Sequence, residues 1–224
     1  MPIKIKADLH VHTTYSKDSL ITPKDLVYYS KKNGLNAVAV TDHDNLDGAY
    51  KIAKETDFLV IPGMEISSGE GHIVGLNIEE PIPKGLSAKE TVERIHRVGG
   101  VAVACHPFVR FKGCLKDRVC ESFDAIEVIN ARAVPYSKSV KLARETAERL
   151  NLSRVAGTDA HFGPQIGYGY TVIDSEEATV EAVCRAIVAG NCQPFGQPVP
   201  PQMNFELTLA RLMRVVTKKP PHLV

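Results

Sequence analysis

What most constrains this chain is the way its apolar runs end. Ala37-Val38-Ala39-Val40 breaks off into Thr41-Asp42-His43-Asp44, and Val101-Ala102-Val103-Ala104-Cys105 runs straight into His106-Pro107. Short continuous runs of this kind mark strands buried on both faces, which is how parallel strands under helices read. Phe58-Leu59-Val60-Ile61 leads through Pro62-Gly63 to Glu65, and Arg154-Val155-Ala156 leads to Gly157-Thr158-Asp159-Ala160-His161. Ala125–Asn130 forms another strand, and His72–Leu76 a shorter one entered from the turn Gly69-Glu70-Gly71. Helices alternate with these runs. Thr22-Pro23 opens one that Gly34 stops, and a second spans Leu46 to Glu55. Ser87 caps a third that Gly99-Gly100 end, and a fourth runs from Tyr136 to Leu150. Ser175-Glu176-Glu177 opens a fifth, after a flexible loop containing Gly163, Gly167 and Gly169. The proline-rich stretch Pro194–Pro201 reads as a spacer before an amphipathic helix from Asn204 to Val216, with Leu207, Leu209, Leu212 and Val216 facing inward. Six or seven strand–helix units imply a parallel sheet closing toward a barrel, and in a barrel the C-terminal strand ends share one face.

The first strand carries the densest chemistry. Ile3–Ala7 leads into Asp8-Leu9-His10-Val11-His12, where alternation puts Asp8, His10 and His12 on one face. A lone histidine at a strand end is more often incidental than a ligand. Here the pattern recurs at His43, His106 and His161, and a barrel would bring all of them to one pocket. Imidazole with carboxylate suits Zn, Mn or Fe. Five cysteines in an odd count, with no CxxC pair, argue against a disulfide framework or a zinc knuckle. Cys105 reads as a small core residue on the strand face opposite His106.

With 224 residues, 44% of them hydrophobic, the chain is long enough for one barrel-sized core. A net charge of +1 removes any whole-surface case for a polyanionic partner. No run suits a membrane span or a signal-peptide core, so a cytoplasmic protein without a membrane partner is expected.

Taken together, Asp8-Leu9-His10-Val11-His12, Thr41-Asp42-His43, Cys105-His106-Pro107 and Thr158-Asp159-Ala160-His161 resemble the four ordered motifs of the PHP (polymerase and histidinol phosphatase) family of metal-dependent phosphoesterases. Glu65 matches the family's intermediate glutamate and His72 a histidine that often follows it. The resemblance runs from Ile5 to Gly190. It implies a distorted seven-stranded TIM-like (β/α) barrel over residues 1–193, with 194–224 as spacer and C-terminal helix packing on it. It also implies two or three divalent ions (Zn, Mn or Fe). His10, His12, Glu65 and Asp159 would hold the first. Glu65 would bridge to a second completed by His72 and His106, and Asp18, His43 and His161 would hold a third. Asp18 is the loop position whose offset is hardest to fix. Asp8 and Asp42 neighbour ligand histidines and are cast as orienting or proton-handling groups. Asp44 either does the same or caps the next helix. Asn130, just after the strand that carries Glu127, either lines the pocket or closes a turn.

The chemistry such a cluster serves is phosphate-ester hydrolysis. A metal ion lowers the pKa of bound water from 15.7 to about 7, and paired ions clamp the attacking and leaving oxygens. Direct attack by a metal-bridging hydroxide is therefore expected, with no covalent phosphoenzyme. Arg132 and the locally basic loop holding Arg110 and Lys112 are the candidate phosphate contacts. Three readings follow. A phosphatase for small phosphorylated metabolites or nucleotides fits the short connections between motifs. A 3′–5′ exonuclease or other phosphodiesterase on nucleic-acid ends is possible but not favoured, because no basic and aromatic stripe accompanies the site. A non-catalytic metal-binding subunit fits poorly with a complete ligand set.

Overall fold

A computed structural model describes residues 2–110 and 113–217, the side chains of 215–217 excepted. Lys112, Val216 and His222 therefore fall outside the described side chains.

Nine strands form one sheet in the order β7-β6-β5-β4-β3-β2-β1-β8-β9. In chain order the strands are β1 (Ile3–Val11), β2 (Ala37–Val40), β3 (Leu59–Ser67), β4 (His72–Leu76), β5 (Val101–Ala104), β6 (Ala125–Asn130), β7 (Ser153–Gly157), β8 (Gly169–Ser175) and β9 (Cys192–Gly196). The helices are α1 (Pro23–Lys32), α2 (Asp47–Glu55), α3 (Ala88–Arg97), α4 (Tyr136–Leu150), α5 (Val180–Val188) and α6 (Pro201–Thr217). The sheet curls into a nearly closed barrel. Its seam lies between the end of β1 and the segment after β7: His12 N–H donates to Ala160 O at 2.9 Å, and Asp159 N–H to His10 O at 2.7 Å.

The expected all-parallel arrangement holds for β1-β2-β3 and for β5-β6-β7. It fails for β4, which follows β3 by a short turn with no helix and runs antiparallel to both neighbours. The reversal has a use. It puts the start of β4, and so His72, on the same face as the C-terminal ends of the parallel strands. The glycine-containing loop expected after His161 ends early, because Gly169–Ser175 is strand β8, antiparallel to the first half of β1. Strand β9 pairs with β8 and takes in Pro194, the start of the expected spacer. The fifth helix accordingly begins later than Ser175, capped by Thr179.

Two apolar layers hold the barrel. Ile5, Ala7, Ala37, Ala39, Ile61, Val101, Val103, Ala125 and Val155 pack with Val183 and Ile187 of α5. The alternate residues Val38, Val40, Ala102, Ala104, Ile126 and Ala156 pack with Leu26, Ile52, Ile95 and Ala147 of the covering helices. Each fully buried Val, Leu or Ile side chain here contributes roughly 1.5–3 kcal/mol, and the interleaved alanines less. Capping boxes fix two helix starts, Thr22 with Asp25 on α1 and Ser87 with Glu90 on α3. Helix α6 buries Leu207, but Leu209 and Leu212 are exposed rather than inward-facing.

Candidate metal centre

Glu65 is the hub of the C-terminal face. Its Oε1 lies 2.7 Å from His72 Nδ1 and 2.8 Å from His106 Nε2. Its Oε2 lies 3.1 Å from His12 Nε2, 3.2 Å from His43 Nδ1 and 3.3 Å from His10 Nε2. The two oxygens thus face different sets of imidazoles, the division a carboxylate shared between two cations requires. Asp159 stands at the other edge, with Oδ1 3.5 Å from His12 Nε2 and 3.4 Å from His161 Nδ1. Asp18 Oδ2 lies 2.9 Å from His161 Nε2 and 3.6 Å from His43 Nε2. All nine residues expected as ligands converge, including Asp18.

The backbone is bent to achieve this. His106 and Asp159 take left-handed conformations, with φ of 31° and 61°. Such angles are uncommon for residues with a side chain and cluster at functional sites. The register of β1 against β2 shifts between Asp8 and Val11, and that of β6 against β7 between Glu127 and Ile129. Irregularities of this kind re-aim side chains beside active sites. In β6 the shift brings Glu127 and Asn130 together, with Asn130 Nδ2 donating to Glu127 Oε2 at 3.1 Å. Gly157 lets β7 come close to β1: a Cβ there would lie 2.5 Å from His10 Cβ and 2.7 Å from Glu127 Oε1.

The donor set suits divalent cations. Ligand atoms of His10, His12 and Asp159, of His12, His43 and His161, and of His43, Glu65 and His72 each lie within 4.8 Å of one another. Among the described residues, Asp18 Oδ1 and His106 Nδ1 are buried without a hydrogen-bond partner, although such atoms ordinarily have one. Without cations the charges are in tension. Burial pushes Glu65 up, but the His10 charge and the bonds from His10, His106 and His12 hold it well below the usual carboxylate range. Burial lowers His12, yet its bonds to Asp159 and Glu65 carry it up to about 9. Burial and the neighbouring His12 together take His161 down to about 4.

Other expected residues sit differently. Asp8 touches no imidazole. Its carboxylate accepts backbone N–H groups from Thr158 at 2.8 Å, Gly167 at 2.9 Å and His10 at 3.3 Å, and burial raises its pKa to about 6. Asp42 accepts from Thr13 N and Oγ1 at 2.7 and 2.6 Å. Both fasten loops, which corrects their expected role beside the histidines. Asp44 neither orients a histidine nor caps α2; its Oδ1 accepts from Ser67 N at 2.8 Å. The carboxylate that does meet a ligand imidazole is Glu127, whose Oε1 lies 3.2 Å from His10 Nδ1 and whose Oε2 accepts His106 N–H at 2.7 Å. It was legible only as a polar residue in a buried strand. Cys105 also departs from expectation. Its Sγ lies 3.8 Å from Glu65 Oε1, beneath the site, and burial with the nearby carboxylates keeps it a thiol.

Above the donors is a cavity of about 240 Å³, walled by Val109, Asn130, Arg132 and Val134. Arg132 Nη1 donates to Asp159 O at 2.9 Å and to His161 Nδ1 at 2.5 Å. Asn130 lines the cavity, and its Oδ1 accepts Arg132 N–H at 3.0 Å. Arg110 does not reach this cavity. It lines an adjoining cleft of about 660 Å³ with Phe108, Lys116 and Lys138, which shares Val109 and Val134 with the first.

Comparison with known proteins agrees with this geometry. Residues 8–90 match the model of the PHP domain, and residues 139–192 match the PHP-associated model. An uncharacterized protein of Methanocaldococcus jannaschii is 41% identical over 141 residues, covering 57% of this chain and 82% of that protein. A 5′-3′ exoribonuclease of Haemophilus influenzae is 43% identical over 86 residues, which is 35% of this chain and 31% of the exoribonuclease. Among solved structures, a two-domain protein of Bacteroides vulgatus containing a predicted PHP-like metal-dependent phosphoesterase superposes with a TM-score of 0.72 at 18% identity. That match covers 88% of this chain and 66% of that one.

Proposed function

The chain belongs to the PHP family of metal-dependent phosphoesterases, and from that premise we propose that it hydrolyses monoesters of small phosphorylated metabolites or nucleotides. The carrying observation is the cavity itself: about 240 Å³, lined by seven of the nine expected ligands, His10 and His12 lying outside its lining, with one guanidinium on its wall. Small-molecule sites usually enclose about 300–1,000 Å³, so this space suits a phosphoryl group with little of its alcohol. Zn, Mn or Fe held there would neutralise phosphate charge and lower the pKa of bound water to about 7. His10, His12, Glu65 and Asp159 would hold one ion, and Glu65, His72 and His106 another. Asp18, His43 and His161 would hold a third. Arg132, oriented by Asp159 and His161, faces the non-bridging oxygens and binds a dianion better than a monoanion.

The expected result is a kcat/KM for p-nitrophenyl phosphate about 10-fold or more above that for bis-p-nitrophenyl phosphate, each tenfold being roughly 1.4 kcal/mol of transition-state binding. Arg132→Ala should shrink the ratio. Equal rates, or a faster diester, would transfer the assignment to a nuclease.

That second reading has its own support. The adjoining cleft carries Arg110, Lys116 and Lys138 with Phe108, a basic and aromatic lining of the kind that tracks a nucleic-acid strand, and one relative is an exoribonuclease. Phosphate release from a monoester panel, run beside a 3′-labelled oligonucleotide, separates the two. No described helix is long and apolar enough to cross a membrane.

A further inference from the structure

We infer that the C-terminal helix α6 is a brace that creates the outer metal position, the one formed by Asp18, His43 and His161; the inference rests on the metal-centre reading above. That position is the most open part of the donor set, with Asp18 and His43 side chains 43% and 32% exposed against 1% for Glu65. None of its three ligands lies within a named strand, and His43 touches the sheet only through an isolated bridge to Glu65. Asp18 is in the β1–α1 loop, and His161 is in the loop after β7.

Helix α6 grips both loops with one face. Asn204, Leu207, Arg211 and Arg214 recur at spacings of three and four, which aligns them along a single stripe. Leu207 packs between Leu20 of the first loop and Phe162 of the second. Asn204 Oδ1 accepts from Gln165 Nε2 at 3.1 Å, and Gln165 Oε1 in turn accepts His161 N–H at 3.2 Å. The Arg211 guanidinium donates to the carbonyl oxygen of Asp18 itself. Arg214 Nη1 donates to Ser19 O at 3.1 Å. Ser19 Oγ then bonds to His12 O at 2.9 Å and His161 O at 3.4 Å, closing the two loops on each other. The inner ligands are placed by β1, β3, β4, the β5–β6 region and the residues just after β7, where Asp159 N–H bonds to His10 O of β1. Both stretches that match the family models end by residue 192, before α6 begins. Arg211 and Arg214 are thus positioning residues that act through the Asp18 loop.

The test is a count of ions. Full-length protein is stripped with chelator, loaded with Mn²⁺ or Zn²⁺, and titrated calorimetrically, with elemental analysis after desalting. Wild type should take three ions. The Arg211→Ala/Arg214→Ala double variant should take two, or bind the third at least ~10-fold more weakly, the result also expected of Asp18→Asn. Arg211→Lys, which keeps a cation at the Asp18 carbonyl, should recover part of the third binding event. Three ions bound as in wild type by the double variant would overturn the inference. So would a wild type that takes only two ions. Global unfolding of the double variant by circular dichroism also counts against it, since a brace on two loops is not needed by the barrel. Because no turnover is read, an inactive protein with the expected ion counts would refute the phosphatase reading and leave the brace standing.

Discussion

Glu65→Gln should lower turnover of p-nitrophenyl phosphate by at least ~100-fold and strip more than one ion from the protein. The reason is the division of labour on one carboxylate. Oε1 faces His72 and His106, and Oε2 faces His10, His12 and His43. A glutamine keeps the shape but turns one of those oxygens into an NH2 group, which repels a cation and cannot accept from an imidazole. It also deletes a buried negative charge that offsets the cationic load of the site. Even partners that merely orient a ligand cost 10–100-fold when lost, so a carboxylate shared by two positions should cost more. Elemental analysis beside steady-state kinetics checks both halves. A variant with full ion content and wild-type turnover would remove Glu65 from the centre of the mechanism.

Most of the site was readable because strand ends punctuate the sequence. Val40 stops at Thr41-Asp42-His43, and Cys105 at His106-Pro107, and a barrel makes such ends neighbours whatever their separation in the chain. What escaped reading was whatever depends on register and direction. A hairpin and a crossover both follow an apolar run, so nothing in His72–Leu76 declares that β4 runs antiparallel. Period-two alternation puts Asp8 with His10 and His12, but the register shift after Asp8 separates them, and Asp8 serves three backbone N–H groups instead. The same alternation puts Cys105 on the face opposite His106, but His106 sits at positive φ and breaks it, which leaves the Cys105 Sγ near Glu65. Strand β8 was hidden by glycines that read as a loop. Its Gly169 has no room for a Cβ against the Gly157 carbonyl, so glycine there reflects close packing rather than freedom. In α6 the apolar period was visible, but the helix lies against two loops by its Leu207 and arginine stripe, leaving Leu209 and Leu212 outside.

The carboxylate that alternation overlooked gives the second large effect. Glu127→Gln should weaken metal binding by 10–100-fold while leaving the fold intact. Glu127 receives His10 Nδ1 on one oxygen, and His106 N–H with Asn130 Nδ2 on the other, so every contact it makes is from a donor. Holding the proton on His10 Nδ1 leaves Nε2 as the free lone pair, on the side of Glu65 where a cation would sit. The glutamine amide offers one acceptor oxygen to these groups. If the NH2 faces His10, the ring loses its orienting acceptor; if it faces His106, a backbone N–H is left buried against another donor. Either way the tautomer that ligates is no longer enforced. Asp8→Asn is the matched contrast, since that side chain serves the backbone N–H groups of His10, Thr158 and Gly167 and the Thr158 side chain: it should lower the melting temperature and leave ion affinity nearly unchanged. Chelator competition and thermal denaturation on the two variants, measured side by side, decide the assignment. Loss of affinity in Asp8→Asn with none in Glu127→Gln would return the orienting role to Asp8.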